Sequence, residues 1–314
     1  MRIAIFGAGG VGGYFGGRLA HVGKDVVFIA RGDHLKAMQS GGLKVDSIAG
    51  DFHVARVDAT DDPAVAGPVD VVIVAVKAWQ VLETAEALRP MLGAGTLVLP
   101  VQNGVEAPGQ LNAALGEGRV LAGLCGVVSR LAGAGHIKHE ALREPFLSFK
   151  EMDNTASNRV EALRQALECD GFEARVPEDI HAAMWSKLIG VSPGGAVGAV
   201  TRTPGLYWRD VPEARSMYEE AAREVFDVAR ARETALEEQL LSDLAGWLNS
   251  MPVTSLMSMQ RDILAGRPSE LEAQVGVVHR LGAELGVPTP VYTSIYRSLL
   301  PSEMNARGQI DFAG

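Results

Sequence analysis

Along the first part of the chain, short apolar runs alternate with segments whose apolar positions recur at helical spacing. The runs are Arg2–Phe6, Asp25–Ala30, Val69–Val76 and Thr96–Val101. Their near-continuous Val, Ile and Leu content is what parallel strands covered on both faces require. Val11–His21 and Gln80–Met91 are the clearest helical segments between them. This alternation predicts an α/β domain with a parallel, doubly wound sheet. From Leu121 to Phe149 the pattern loosens into β-type pieces, expected to be late strands of the same domain.

After Asp179 the pattern turns helical, with no convincing strand. Pro212–Arg232, Thr234–Asn249 and Ser269–Gly286 stand out. In the last, Leu271, Val275, Val278, Leu281 and Leu285 recur at steps of three and four and define one apolar face. Ser269 with Glu272 has the spacing of a capping box, and Gly286 followed by Pro288 supplies a stop. A boundary near Arg175–Asp179 gives an α/β domain over residues 1–178 and an all-α domain over 179–314. No internal repeat or low-complexity segment appears.

Composition narrows the function classes. With 29 Lys and Arg against 38 Asp and Glu, the net charge of −9 argues against a nucleic-acid binder. The cysteines, Cys125 and Cys169, fit neither a disulfide framework nor a metal-ligand spacing, and the seven histidines show no H-E-x-x-H. No metal site is expected, and the thiols point to a reducing compartment. No leader pattern precedes the first apolar run, and no run approaches the ~18 apolar residues that span a bilayer. The expectation is a cytoplasmic protein with neither membrane nor nucleic acid as partner.

Gly7-Ala8-Gly9-Gly10-Val11-Gly12 is a G-x-G-x-x-G between a predicted strand and a predicted helix. In that context it reads as the dinucleotide loop of a Rossmann domain. Gly7 allows the tight turn, Gly9 lets backbone approach a pyrophosphate, and Gly12 lets helix pack on strand. The following helix N-terminus offers free N–H groups to the phosphates. At the end of the second strand, where NAD enzymes carry an acid for the ribose hydroxyl, the chain has Arg31. A guanidinium suits a 2′-phosphate, so NADP(H) is expected. Asp33, the competing acid, is assigned as N-cap of a short helix over His34–Ser40.

Two apolar runs end in polar residues, Lys77 and Gln102-Asn103-Gly104, where ligands of an open α/β sheet bind. The alternative for Lys77 is a solvated strand end, and for Asn103 a turn residue before Gly104. In the predicted helix Asp179–Val191, Ile180, Met184, Leu188 and Val191 share one arc at about 100° per residue, with Lys187 at its edge. An ammonium there is costly to bury unless partnered, which points to a proton donor. A lysine whose stem packs while its head reaches water accounts for the pattern as well. Glu270 and Glu272 are either functional or first-turn acids favoured by the helix dipole. The long C-terminal helices fit an intradomain core or a homodimer equally.

The chain resembles the ketopantoate reductase (2-dehydropantoate 2-reductase) family. The resemblance is carried by the glycine loop, Arg31, Lys77-Ala78-Trp79-Gln80, Asn103-Gly104, Trp185-Ser186-Lys187-Leu188, Ser258-Met259-Gln260-Arg261-Asp262, Gly266-Arg267-Pro268-Ser269-Glu270-Leu271 and Leu285-Gly286-Val287-Pro288-Thr289-Pro290. It implies a Rossmann domain followed by a helical domain, and reduction of the 2-keto group of ketopantoate by NADPH to give pantoate, on the route to pantothenate and coenzyme A. It implies Lys187 as general acid and Glu270 on the substrate-hydroxyl side. It puts Asn103 and Lys77 beside substrate and nicotinamide, and Ser258 near the substrate carboxylate. The family's two asparagines, four and eight positions beyond the lysine, are here Val191 and Gly195. Ser192 is the expected substitute for one of them. The departure leaves a different small, branched or less polar 2-keto acid as an alternative substrate, and a non-catalytic NADPH sensor as an alternative of another class.

Overall fold

The computed structural model of the chain describes residues 1–140 and 144–312. The β-type stretch expected over Leu121–Phe149 therefore includes three positions, 141–143, outside the described residues. The chain forms two compact units, one of Met1–Gln102 with Glu106–Ile180, the other of Asn103–Val105 with His181–Gly314. Against the single boundary expected after residue 178, the first unit runs on to Ile180, and Asn103–Val105 belongs with the helical unit.

The first unit opens with β1 (Arg2–Phe6), α1 (Gly10–His21), β2 (Asp25–Ile29) and α2 (Gly32–Gly41). Then come β3 (Leu43–Ser47), β4 (Phe52–Val54), β5 (Asp58–Thr60), α3 (Pro63–Ala66), β6 (Val69–Val74), α4 (Val81–Leu88) and β7 (Leu92–Pro100). It continues with α5 (Ala107–Leu115), β8 (Leu121–Gly126), β9 (Ser129–Gly133), β10 (His136–His139), β11 (Phe146–Glu151), α6 (Asn158–Leu167) and β12 (Glu173–Arg175). The central sheet has the order β5-β2-β1-β6-β7, every pair parallel.

The inner strands β2, β1 and β6 are mostly apolar because both faces are covered, whereas the edge strand β5 (Asp58-Ala59-Thr60) is polar and only partly covered. Ile3, Ile5, Phe28 and Ile73 pack on the side of Phe15 and Leu19 from α1. Ala4, Phe6, Val27 and Val74 pack on the side of Val81, Ala85 and Leu88 from α4. The strand order reverses between β1 and β6, so the carboxyl ends of those two strands form the switch point where ligands of such sheets bind.

The later β-type pieces lie in the same unit but form sheets of their own, β4-β3-β10-β9 and β12-β11-β8. The first of these braces α1. A side chain at Gly13 would strike Ile137, and one at Gly10 would meet the Ser129 carbonyl at 2.6 Å.

Behind α1, Arg18 is buried with its guanidinium 4.4 Å from the centre of the Phe52 ring, donating to Ser47 Oγ at 3.2 Å. Ser47 Oγ in turn lies 2.9 Å from His139 Nδ1. Burial, and secondarily the Arg18 charge, hold the buried His139 below the ordinary histidine pKa. A depressed folded pKa means that the unfolded chain takes up the proton first. The stability His139 contributes is therefore full above about pH 6.5 and declines as the pH falls below that value. His139→Gln should flatten the drop in denaturation midpoint between pH 7 and pH 5. A drop as steep as that of the wild type would show that the proton is taken up elsewhere.

The second unit continues from α7 (Ile180–Val200) through α8 (Pro212–Ala231), α9 (Gln239–Ser250), α10 (Ser258–Leu264), α11 (Val277–Leu285) and α12 (Pro290–Ala306). The helix expected to stop at Val191 runs on through Pro193 to Val200. Proline removes one backbone bond, but Ile189, Ala196, Val197 and Ala199 on that segment are buried, and packing overrides the local break.

The helix expected from Thr234 starts at Gln239 instead. Glu233 takes a positive φ of 60°, and Leu236, buried, has its carbonyl held by Arg230 at 2.8 Å, so the chain there is held outside the helix. Leu285, expected on the apolar face of the last predicted helix, is exposed at the final position of α11. Gly286 terminates that helix in the left-handed conformation, as its position suggested. Among the described residues no helix is long and apolar enough to cross a membrane.

Candidate active site

The glycine loop follows β1 directly. Gly7 has φ of +98°, and a Cβ there would meet the Val76 nitrogen at 2.9 Å. The loop thus touches the segment leaving β6. A side chain at Gly12 would collide with the Gly7 carbonyl and the Ile5 side chain. Gly9 is the opposite case: it is exposed, with nothing within 4 Å of where a Cβ would sit. The first turn of α1 has no side-chain cap and no acidic residue. Open space over Gly9 and uncapped N–H groups are what a pyrophosphate needs, so these residues fit a dinucleotide.

Arg31 is exposed and is the N-cap residue of α2, which begins at Gly32. The cap assigned to Asp33 is corrected accordingly. Asp33 lies inside the first turn, makes no cap bond and pairs with Lys36 at 3.3 Å. No carboxylate therefore stands at the end of β2 itself.

Lys77 follows β6, which ends two residues earlier than expected, at Val74. It is half-buried, with Nζ 5.7 Å from the centre of the Trp79 ring. Gln102, a polar end-of-strand residue with no role assigned from sequence, holds this region. Its buried amide donates to the carbonyls of Val74 and Val76 at 2.8 and 3.0 Å.

In the second unit, Asn103 and Glu270 are brought together, 167 positions apart. Asn103 Nδ2 donates to Glu270 Oε2 at 2.9 Å, and Gln274 Nε2 donates to the same oxygen at 3.1 Å. Glu270 is buried, at 5% exposure. Gly104, with φ of +97°, allows the approach, since a Cβ there would meet the Ala273 carbonyl at 2.7 Å. Glu272 has a separate role. It is exposed and accepts from Tyr296 at 2.8 Å. The expected capping box does not form either: Ser269 accepts from the Leu271 amide at 3.2 Å and donates to Glu303 at 2.6 Å.

Glu272–Gly276 forms a π-helical turn, a departure frequent at functional sites. The Gln274 carbonyl inside it accepts from Ser192 Oγ at 2.6 Å, and Ser192 Oγ accepts from Tyr292 at 2.8 Å. Ser192 is fully buried, so it is committed to this chain and is not a stand-in for a lost substrate-binding amide. Glu224 anchors the other end, accepting from the Val291 and Tyr292 amides at 2.7 and 2.9 Å. Gln274 and Tyr292 were missed from sequence.

Lys187 is half-buried on α7 between buried Met184, Trp185 and Leu188, and makes no hydrogen bond or ion pair with any described residue. One turn on is Val191, half-buried. A further turn on, Gly194 and Gly195 are covered by methionines. A Cβ at Gly195 would lie 3.3 Å from the Met259 methyl carbon, and one at Gly194 3.4 Å from that of Met257. Ser258, half-buried, stands between those methionines at the start of α10. Among the described residues no group of His, Cys, Asp or Glu could hold a metal ion.

Comparison with known proteins fits this layout. Residues 3–152 match the family model "Ketopantoate reductase PanE/ApbA", and residues 179–302 match "Ketopantoate reductase PanE/ApbA C terminal". A 2-dehydropantoate 2-reductase of Nostoc is 28% identical over 304 residues, covering 95% of this chain and 94% of that protein. An uncharacterized oxidoreductase of Bacillus subtilis, YkpB, is 27% identical over 95% of this chain and 98% of its own length. The crystal structure of 2-dehydropantoate 2-reductase from Geobacter metallireducens superposes with a TM-score of 0.90 at 28% identity, covering 96% of this chain and all of the other. The chain belongs to the ketopantoate reductase family, oxidoreductases of 2-keto acids that use NAD(P)H.

Proposed function

We propose that the chain reduces 2-dehydropantoate (ketopantoate) to pantoate with NADPH. The observation that carries this reading is the Asn103–Glu270–Gln274 cluster, a buried carboxylate with amide donors in the same unit as Lys187, which pairs with none of the described residues. NADPH supplies a hydride to the keto carbon. The glycine loop would hold its pyrophosphate and Arg31 its 2′-phosphate, and Lys77 would serve the nicotinamide. Asn103 and Glu270 orient the substrate, Glu270 accepting from its hydroxyl, and Ser258 receives the carboxylate. As charge builds on the carbonyl oxygen, the Lys187 ammonium stabilises it and donates the proton, acting where charge develops in the transition state.

A second reading has a specific observation behind it. Val191, Gly194 and Gly195 give the face of α7 beyond Lys187 no hydrogen-bonding side chain except committed Ser192, and Met257 and Met259 cover it. Such a surface favours a 2-keto acid whose side chain lacks the hydroxyl. The test is NADPH consumption with ketopantoate, 2-ketoisovalerate and 2-keto-3-methylvalerate. Highest kcat/KM with ketopantoate is expected. A clearly higher value for either alkyl acid rejects ketopantoate in favour of the second reading, and no turnover of any rejects both.

A further inference from the structure

We propose that His34 is a positioning residue for the dinucleotide, fastening the glycine loop to the turn that carries Arg31. The proposal rests on the reading that this loop holds the cofactor. His34 is in the first turn of α2, three residues after Arg31. Its Nε2 lies 2.8 Å from the carbonyl oxygen of Ala8, and its Nδ1 accepts from the Gly135 amide at 3.0 Å. A backbone amide can only donate, so Nδ1 carries no proton. The proton is therefore on Nε2, which donates to Ala8. Burial lowers the ring's pKa, in keeping with a neutral imidazole.

Three segments meet on this one ring. Ala8 is buried between Gly7, pressed against Val76, and Gly9, which faces open space. Gly135, in the turn between β9 and β10, has φ of +68°, and a Cβ there would lie 3.1 Å from Ala37 Cβ of α2. The ring therefore fixes the spacing between the loop, which offers its open backbone at Gly9, and the exposed guanidinium at residue 31. A dinucleotide bearing a 2′-phosphate engages both places at once, so a loosened span costs affinity even though His34 touches neither phosphate.

The test is titration of NADPH fluorescence on the full chain, with the melting temperature followed in parallel. His34→Ala should raise the Kd for NADPH about tenfold, the scale of a lost hydrogen bond that leaves a buried carbonyl unpaired. His34→Gln places an amide nitrogen near the Nε2 position and restores the bond to Ala8, so its Kd should stay within about threefold of the wild type. His34→Asn keeps only an acceptor near Nδ1 and should behave like His34→Ala. Rescue by Gln and not by Asn supports positioning through Ala8. A Kd unchanged in His34→Ala overturns the proposal, as does equal weakening in all three variants in step with their melting temperatures. Gly9→Val separates the underlying reading: if it binds NADPH as the wild type does, the loop does not hold the cofactor, whatever the His34 variants show.

Discussion

Lys187→Ala should lower kcat by about three orders of magnitude, within the range ascribed to a positioned general acid, while the Kd for NADPH stays within about twofold. The expectation follows from what surrounds the residue. Its neighbours on α7, Met184, Trp185 and Leu188, are buried, and no described carboxylate pairs with it. An ammonium left without a partner retains its full charge for an oxyanion that forms only during reaction. Lys187→Arg refines the result. A guanidinium keeps the charge but does not release a proton near neutral pH. It should therefore recover part of the rate if charge stabilisation matters, and stay well below the wild type if proton donation matters. A kcat for Lys187→Ala within about threefold of the wild type would remove the residue from the chemistry. Cofactor affinity, read by NADPH fluorescence, guards against loss through misfolding.

How much of this was legible in the sequence depends on how local each signal was. Four of the five central strands and the glycine loop were readable because each is written in consecutive residues, whereas the short polar edge strand β5 was not. Strands buried on both faces are apolar at every position, and the loop needs glycine at fixed offsets. The smaller sheets were only half visible. β3 alternates buried and exposed positions and pairs with β10 in register from Lys44 with His136, a contact between distant parts of the chain. No window of sequence contains that information.

The site shows the same division. Asn103 stood out as a polar strand end and Glu270 as a helix-start acid, yet nothing local distinguished Glu270 from Glu272. The structure separates them by burial alone, one held by two amides and the other on the surface. Gln274 was missed because it reaches Glu270 from within a π-helical turn, which the helical periodicity of Ser269–Gly286 conceals. Ser192 was expected to substitute for one of the family's two asparagines. Its partners, Gln274 and Tyr292, lie far along the chain, and only the folded structure shows that it is already used.

Arg31→Asp should weaken NADPH binding about a hundredfold and leave NADH binding unchanged or tighter, on the scale expected when a charge-assisted phosphate contact is replaced by like-charge repulsion. The position is suited to this discrimination. Arg31 is the first residue outside α2, in extended backbone with φ −136° and ψ 162°, exposed and free of any carboxylate partner among the described residues. Asp33, the nearest acid, is occupied with Lys36 and sits within the helix. The guanidinium of Arg31 is therefore the group expected to read a 2′-substituent there. An aspartate in its place repels a phosphate and accepts a hydrogen bond from a ribose hydroxyl, so the substitution acts in opposite directions on the two cofactors. Arg31→Ala separates the contributions: it removes the attraction without adding repulsion, and should fall between wild type and Arg31→Asp for NADPH. Because the guanidinium is exposed, the expected NADPH preference of the wild type should shrink as salt is raised, and that of Arg31→Ala should respond less. Equal loss of NADPH and NADH affinity in Arg31→Asp would show that the residue supports the loop in general and does not read the phosphate.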